Sequence, residues 1–139
     1  MSRGTIHHVE LNVSDLGCSA EFWGWLLGEL GYSEYQRWDG GRSWRLGETY
    51  LVLVQTEAEH LSPNYHRRRT GLNHLAFHVE SHEAVDWFTA ELRRRGVKLL
   101  YEDRHPHAGG SETYAVFFED PDRVKVELAA PVPASLLPR

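Results

Sequence analysis

The sequence predicts an α+β protein made of two copies of a β-α-β-β-β unit, and three observations carry that prediction. Two stretches, Ile6–Val13 and Leu72–Val79, alternate apolar and polar residues in the period-2 pattern of a strand with one buried face. Each is followed by a segment whose apolar residues recur at helical spacing. After each helix come short strand-like runs divided by turn sequences.

Taken in order, the first strand sets Val9, Leu11 and Val13 on one face and His8, Glu10 and Asn12 on the other. Ser14-Asp15 offers a cap, and Ser19–Leu30 reads as a helix with Phe22, Trp23, Leu26, Leu27 and Leu30 as its apolar stripe, closed by Gly31. Three strands follow, Ser33–Trp38, Ser43–Leu46 and Thr49–Thr56, separated by Asp39-Gly40-Gly41 and Gly47-Glu48. Periodicity fails from Glu57 to Thr70, which reads as a connector with one helical turn; its Arg67-Arg68-Arg69 run reads as solvated linker rather than a phosphate cradle. In the second copy, Leu75, Phe77 and Val79 oppose His74, Ala76 and His78. A helix over His82–Arg95 buries Val85, Phe88 and Leu92, and Arg93-Arg94-Arg95 complement its dipole. Strands over Val97–Glu102, Glu112–Glu119 and Val124–Ala129 complete it, with Asp120-Pro121-Asp122-Arg123 as a hairpin turn. The tail 131–135 holds too many prolines for regular structure.

A chain of 139 residues with 41% hydrophobic content suits one compact domain: 5–56 and 71–130 are its two modules, 57–70 a linker, and 131–139 an extended tail. The net charge of −5 gives no whole-protein attraction to nucleic acid or to an anionic membrane. No secretory signal and no run of eighteen apolar residues is present, and the single cysteine, Cys18, excludes an internal disulfide; a cytoplasmic location is expected, with Cys18 a packing residue.

His8 and His74 occupy equivalent places in the two copies, 66 positions apart (74 minus 8). In the last strand the same parity puts Glu127 on the polar face beside Lys125 and Ala129. Two imidazoles and a carboxylate from three strands make a facial set that leaves coordination positions open, the arrangement of a catalytic rather than a structural ion. Iron(II), manganese(II), nickel(II) and zinc(II) all suit such ligands. Glu10 and His78, on the same faces, are candidate proton-transfer residues. Trp38, Trp44, Tyr65 and Tyr114 are candidates to wall an apolar pocket. His105 and His107, around Pro106 and before Gly109-Gly110, read as a loop able to close over a substrate.

With His8 in the first strand, His74 in the fifth and Glu127 shortly after Asp120-Pro121-Asp122, the chain from Thr5 to Ala130 resembles the vicinal oxygen chelate superfamily of glyoxalases, bleomycin-resistance proteins and extradiol dioxygenases. The resemblance implies a cupped, incompletely closed eight-stranded mixed sheet with helices outside, one divalent metal ion per chain on His8, His74 and Glu127, and a homodimer. It also implies a small-molecule substrate bound through vicinal oxygens, with glyoxalase-like lyase or isomerase chemistry or extradiol-type dioxygenation. The alternative is a non-enzymatic protein that sequesters a drug or metabolite. Glyoxalase I takes a fourth ligand, a glutamate, from the fourth strand; here Tyr50–Gln55 holds no carboxylate, which leaves Gln55 or water to complete the set.

Overall fold

The structure is a computed structural model that describes residues 3–133 and 135. By its internal contacts the chain divides into two compact units, Met1–Asn64 and Tyr65–Arg139. The expected eight strands are all present, as two four-stranded mixed sheets, neither closed on itself.

In the first unit, β1 (His8–Val13) is followed by α1 (Leu16–Glu29) and by β2 (Ser33–Trp38), β3 (Gly41–Leu46) and β4 (Thr49–Gln55). The sheet order is β1-β4-β3-β2, with β1 parallel to β4 and the other pairs antiparallel. A parallel pair needs a long crossover, and α1 lies in that crossover. Its start is fixed by Asp15, whose Oδ1 accepts the Cys18 N–H at 3.1 Å, so the helix begins at Leu16, three residues before the expected Ser19. Its end is a Schellman motif: Gly31, at φ +95°, donates to the Gly28 carbonyl at 3.0 Å, and Tyr32 donates to Leu27 at 2.9 Å. The buried stripe is Ser19, Ala20, Trp23, Leu26 and Leu27, while Phe22 and Leu30 sit at its half-exposed margin. These side chains meet Leu51 and Leu53 of β4 and Trp44 of β3 to form the core of this unit.

The β2–β3 hairpin turns on Asp39-Gly40 alone, so Gly41 is already a strand residue opposite Trp38. It has to be glycine: a Cβ there would lie 2.3 Å from the Trp38 ring and 2.7 Å from the Leu53 carbonyl oxygen.

The second unit repeats the plan with β5 (His74–His78), α2 (His82–Arg94), β6 (Leu99–Leu100), β7 (Ala115–Glu119) and β8 (Lys125–Ala129), in the order β5-β8-β7-β6. Ser81 Oγ caps α2 by accepting the Ala84 N–H at 3.0 Å. Gly96, at φ +74°, ends it with the same pair of bonds as α1, Gly96 to Arg93 and Val97 to Leu92. Val85, Phe88, Thr89 and Leu92 are its buried row.

β6 is much shorter than the expected Val97–Glu102. The Val97 N–H is engaged in the helix cap, and Tyr101 turns left-handed at φ 56° to open a 3₁₀ turn over Glu102–Arg104. The connector contains one 3₁₀ turn, Ala58–His60, as expected. Of the tail, residues 131–133 carry no regular secondary structure, and residues 134 and 136–139 lie outside the described residues.

Candidate functional site

In the second unit β5 and β8 run parallel, with His74 opposite Lys125 and Ala76 opposite Glu127. Val126 and Leu128 are buried, so Lys125, Glu127 and Ala129 occupy the other face, as the alternation requires. This brings His74 and Glu127 together: Nε2 lies 3.2 Å from Glu127 Oε1, with side-chain exposures of 33% and 15%.

The other ring nitrogen, Nδ1, stands 2.7 Å from Asn73 Oδ1, an oxygen that can only accept, so Nδ1 carries the hydrogen. A neutral His74 therefore aims the Nε2 lone pair at a carboxylate oxygen. Two acceptors at that distance repel unless a proton or a cation lies between them. Donors about 2.1 Å from a common ion and at right angles to each other are about 3 Å apart, so the pair fits adjacent positions on one divalent ion. Asn73 does for His74 what outer partners of metal-bound histidines do, fixing tautomer and ring orientation.

Lys125 continues the same face. Its Nζ donates to the Tyr101 hydroxyl at 3.1 Å and lies over the rings of Tyr101 and Phe117 at 5.3 and 5.8 Å. Lys125 was visible by parity in the sequence; Asn73 and Tyr101 carried no signal beyond their nearness to His74 and to a strand end.

In the first unit His8 and Glu10 share the exposed face of β1, with Nε2 3.7 Å from Glu10 Oε1. The His8 ring stacks on Tyr50 at 4.7 Å and 3°, and its Nδ1 meets His7 Nδ1 at 2.9 Å, so one ring donates to the other. Gln55 is not placed to complete a ligand set. Its Oε1 accepts the Leu16 N–H at 2.8 Å and its Nε2 donates to the carbonyls of Ser14 and Thr56, so the side chain clamps the start of α1. His78 is exposed at the end of β5, opposite Ala129 and two residues, about 7 Å, beyond the row of Glu127.

The four aromatic residues expected as pocket walls take partners within their own units. Trp44 is 6% exposed and packs against Gly24 of α1, inside the core, whereas Trp38 is 46% exposed and covers Gly41. Tyr65 donates to the Leu72 carbonyl at 2.8 Å, and burial raises its phenol pKa. Tyr114 stacks on His82 at 3.9 Å and donates to Asp86 at 2.6 Å, a bond that raises its pKa. These rings met helices and turns instead, because hydrophobic content alone does not say which face a residue takes.

Asp120 is a turn device, 5% exposed, with Oδ1 accepting the N–H groups of Asp122 and Val124. Cys18 is exposed rather than packed, since the earlier helix start puts it on the outer side of the first turn. The loop around His105 and His107 is internally tied, with His107 Nδ1 2.6 Å from the Thr113 carbonyl oxygen and Ala115 donating to Pro106. Burial lowers the His105 pKa. Of the proposed ligands, the structure brings His74 and Glu127 together as a pair; among the described residues, the three metal-capable side chains whose ligand atoms all lie within 4.8 Å of one another are Glu57, Glu59 and His60, all exposed on the connector.

Comparison with known proteins places this chain among relatives of the same architecture. A family model described as the Glyoxalase/Bleomycin resistance protein/Dioxygenase superfamily matches residues 5–128. The uncharacterized protein YqjT of Bacillus subtilis (strain 168) is 60% identical over 126 residues, covering 91% of this chain and 98% of that protein. The glutathione transferase FosA of Serratia marcescens is 30% identical over 124 residues, 89% of this chain and 79% of that one.

Among solved structures, a Bacillus halodurans protein provisionally assigned as a glyoxalase superposes with a TM-score of 0.92 at 60% identity, covering 93% and 97% of the two chains. A mutant of the fosfomycin resistance protein FosX from Listeria monocytogenes, complexed with Mn(II) and a dihydroxypropylphosphonic acid, gives 0.67 at 22% identity over 96% and 94%, a likeness of fold. On the matched residues and the shared fold, this chain belongs to the Glyoxalase/Bleomycin resistance protein/Dioxygenase superfamily, also called the vicinal oxygen chelate superfamily.

Proposed function

We propose that this protein is a divalent-metal-dependent enzyme acting on a small molecule with two adjacent oxygens, and that His8, His74 and Glu127 hold the ion. The observation that carries the reading is the His74–Glu127 contact, an imidazole nitrogen 3.2 Å from a carboxylate oxygen on the open face of a parallel strand pair. His8 supports it by standing at the matching position of the first unit, with Nδ1 against His7 and Nε2 3.7 Å from Glu10 Oε1. Iron(II), manganese(II), nickel(II) and zinc(II) all remain compatible with two imidazoles and a carboxylate. The ion, when bound, polarises a substrate oxygen as a Lewis acid.

The chain's own residues supply the rest. Asn73 and His7 hold the two imidazoles in register. Glu10, within 3.7 Å of His8 and 58% exposed, takes a proton from a carbon or oxygen next to the activated group and returns it. His78, exposed farther along the face of β5, is the second proposed proton-transfer group. Proton movement beside a polarised carbonyl is glyoxalase-like lyase or isomerase chemistry; the same open ligand set serves extradiol-type dioxygenation. No helix of the described residues is long and apolar enough to cross a membrane, and we place the protein in the cytoplasm as a homodimer.

The test is elemental analysis of protein purified without chelators, followed by turnover assays with methylglyoxal–thiol adducts, catechols and acyl-CoA thioesters. About one ion per chain with turnover of one class supports the enzyme. Metal-free protein that binds an aromatic ligand without converting it supports a sequestering role instead.

A further inference from the structure

The arginine run of the connector, which plays no part in the proposed metal chemistry, lines a cavity. Tyr65, His66, Arg67, Arg68 and Arg123 surround a volume of about 280 Å³. Arg67 is positioned by two bonds from one of its terminal nitrogens, to Glu119 Oε1 at 3.1 Å and to the Arg123 carbonyl at 3.3 Å, and its side chain is only 19% exposed. Arg123 is set left-handed at φ 66° at the end of the Asp120 turn, and its Nε lies 3.5 Å from Glu119 Oε2. One carboxylate, 10% exposed, thus orients two guanidiniums. Among the described residues, the Arg68 guanidinium enters no ion pair.

The hydrogen-bond inventory of the lining is one-sided. His66 Nδ1 accepts the Arg68 backbone N–H at 3.0 Å, so in the neutral ring the hydrogen is on Nε2, which donates. The Tyr65 hydroxyl is already donating to Leu72. Asp120, whose charge helps raise the Tyr65 phenol, turns Oδ1 onto the backbone amides of its own turn. The lining therefore offers three guanidiniums and an imidazole N–H, and no carboxylate. Planar forks of this kind match the oxygens of a phosphate group. By strand register Glu119 shares a sheet face with Lys125 and, one alternate residue on, with Phe117 opposite Glu127.

We propose that this cavity is an oxyanion site for a phosphate or diphosphate group, held by Arg67, Arg68 and Arg123 with His66 as a further donor. The group is either free phosphate or the phosphate end of a larger ester, and the site stands whether or not the metal reading does.

Isothermal titration of the full chain at physiological salt with orthophosphate, pyrophosphate and adenosine diphosphate tests it. Saturable binding of pyrophosphate is expected, weakened about tenfold by Arg68→Gln and by Arg123→Gln. Arg94→Gln, on the exposed face of α2, leaves it unchanged, and circular dichroism confirms that each variant is folded. Equal binding of adenosine diphosphate assigns the site to a phosphate ester, and binding of the inorganic anions alone assigns it to free phosphate. Absence of saturable pyrophosphate binding, or binding that Arg68→Gln leaves intact, overturns the proposal.

Discussion

The two units share a backbone plan and differ in where each keeps its carboxylate. Their registers superpose residue for residue: His8 opposite Tyr50 corresponds to His74 opposite Lys125, and Glu10 opposite Val52 corresponds to Ala76 opposite Glu127. In the first unit the acid lies on the same strand as the histidine, 3.7 Å away and exposed; in the second it lies on the neighbouring strand, 3.2 Å away and mostly covered. A duplicated frame thus offers two histidines at equivalent points and two carboxylates at non-equivalent ones. The covered acid suits a ligand, and the exposed one suits a group that moves protons.

The helices differ in a similar way. α1 has one of its two tryptophans, Trp23, fully buried, whereas α2 turns Trp87 outward at 47% exposure. The largest effect should come from exploiting that difference: Trp23→Ala should cost about 3–5 kcal/mol in urea unfolding, and Trp87→Ala less than about 1. Equal losses would show that the two helices contribute alike.

The two carboxylates should separate next. Glu127→Gln should weaken metal affinity, measured by competition with a chromophoric chelator, by about 10–100-fold or more, while Glu10→Gln retains the metal and loses about 100-fold in turnover. A Glu10→Gln variant with full activity would remove the proton-transfer role.

A smaller contrast lies at the helix–sheet contacts. Thr89 Oγ1 donates to the Val85 carbonyl at 2.8 Å, but Ser19 Oγ is buried with no partner among the described residues. Ser19→Ala should therefore stabilise the chain by about 1 kcal/mol, whereas Thr89→Ala should destabilise it by a similar amount; thermal unfolding distinguishes the two.

The smallest effect is one of pH. Burial lowers the His105 pKa from its ordinary 6.5, so the folded state favours the neutral ring. The stability this preserves is complete above 6.5 and is lost as pH falls through the depressed value. His105→Asn should flatten the fall in melting temperature over that window.

Much of this was legible in the sequence because local signals agreed. The cap and glycine stop of α2 bracket its apolar row, and β2 was bounded by a glycine on one side and Asp39-Gly40 on the other, so both elements fall where expected. The faces of β1, β5 and β8 followed from alternation alone, and that is what brought His74 and Glu127 onto one side. What was not legible depended on competition for hydrogen bonds or on tertiary partners. β6 lost residues to a helix cap on one side and a left-handed Tyr101 on the other, and Gln55, a plausible ligand by type, is held by three backbone groups around Ser14–Thr56. Trp44 and Tyr114 read as pocket aromatics until the helices claimed them.

The central claim is that His74 and Glu127 face each other across a cation. Metal content by mass spectrometry, compared between the native chain and His74→Ala after identical chelator-free purification, tests it most directly. The account predicts about one divalent ion per native chain and almost none in the variant; equal metal in both, or none in either after reconstitution, would contradict it.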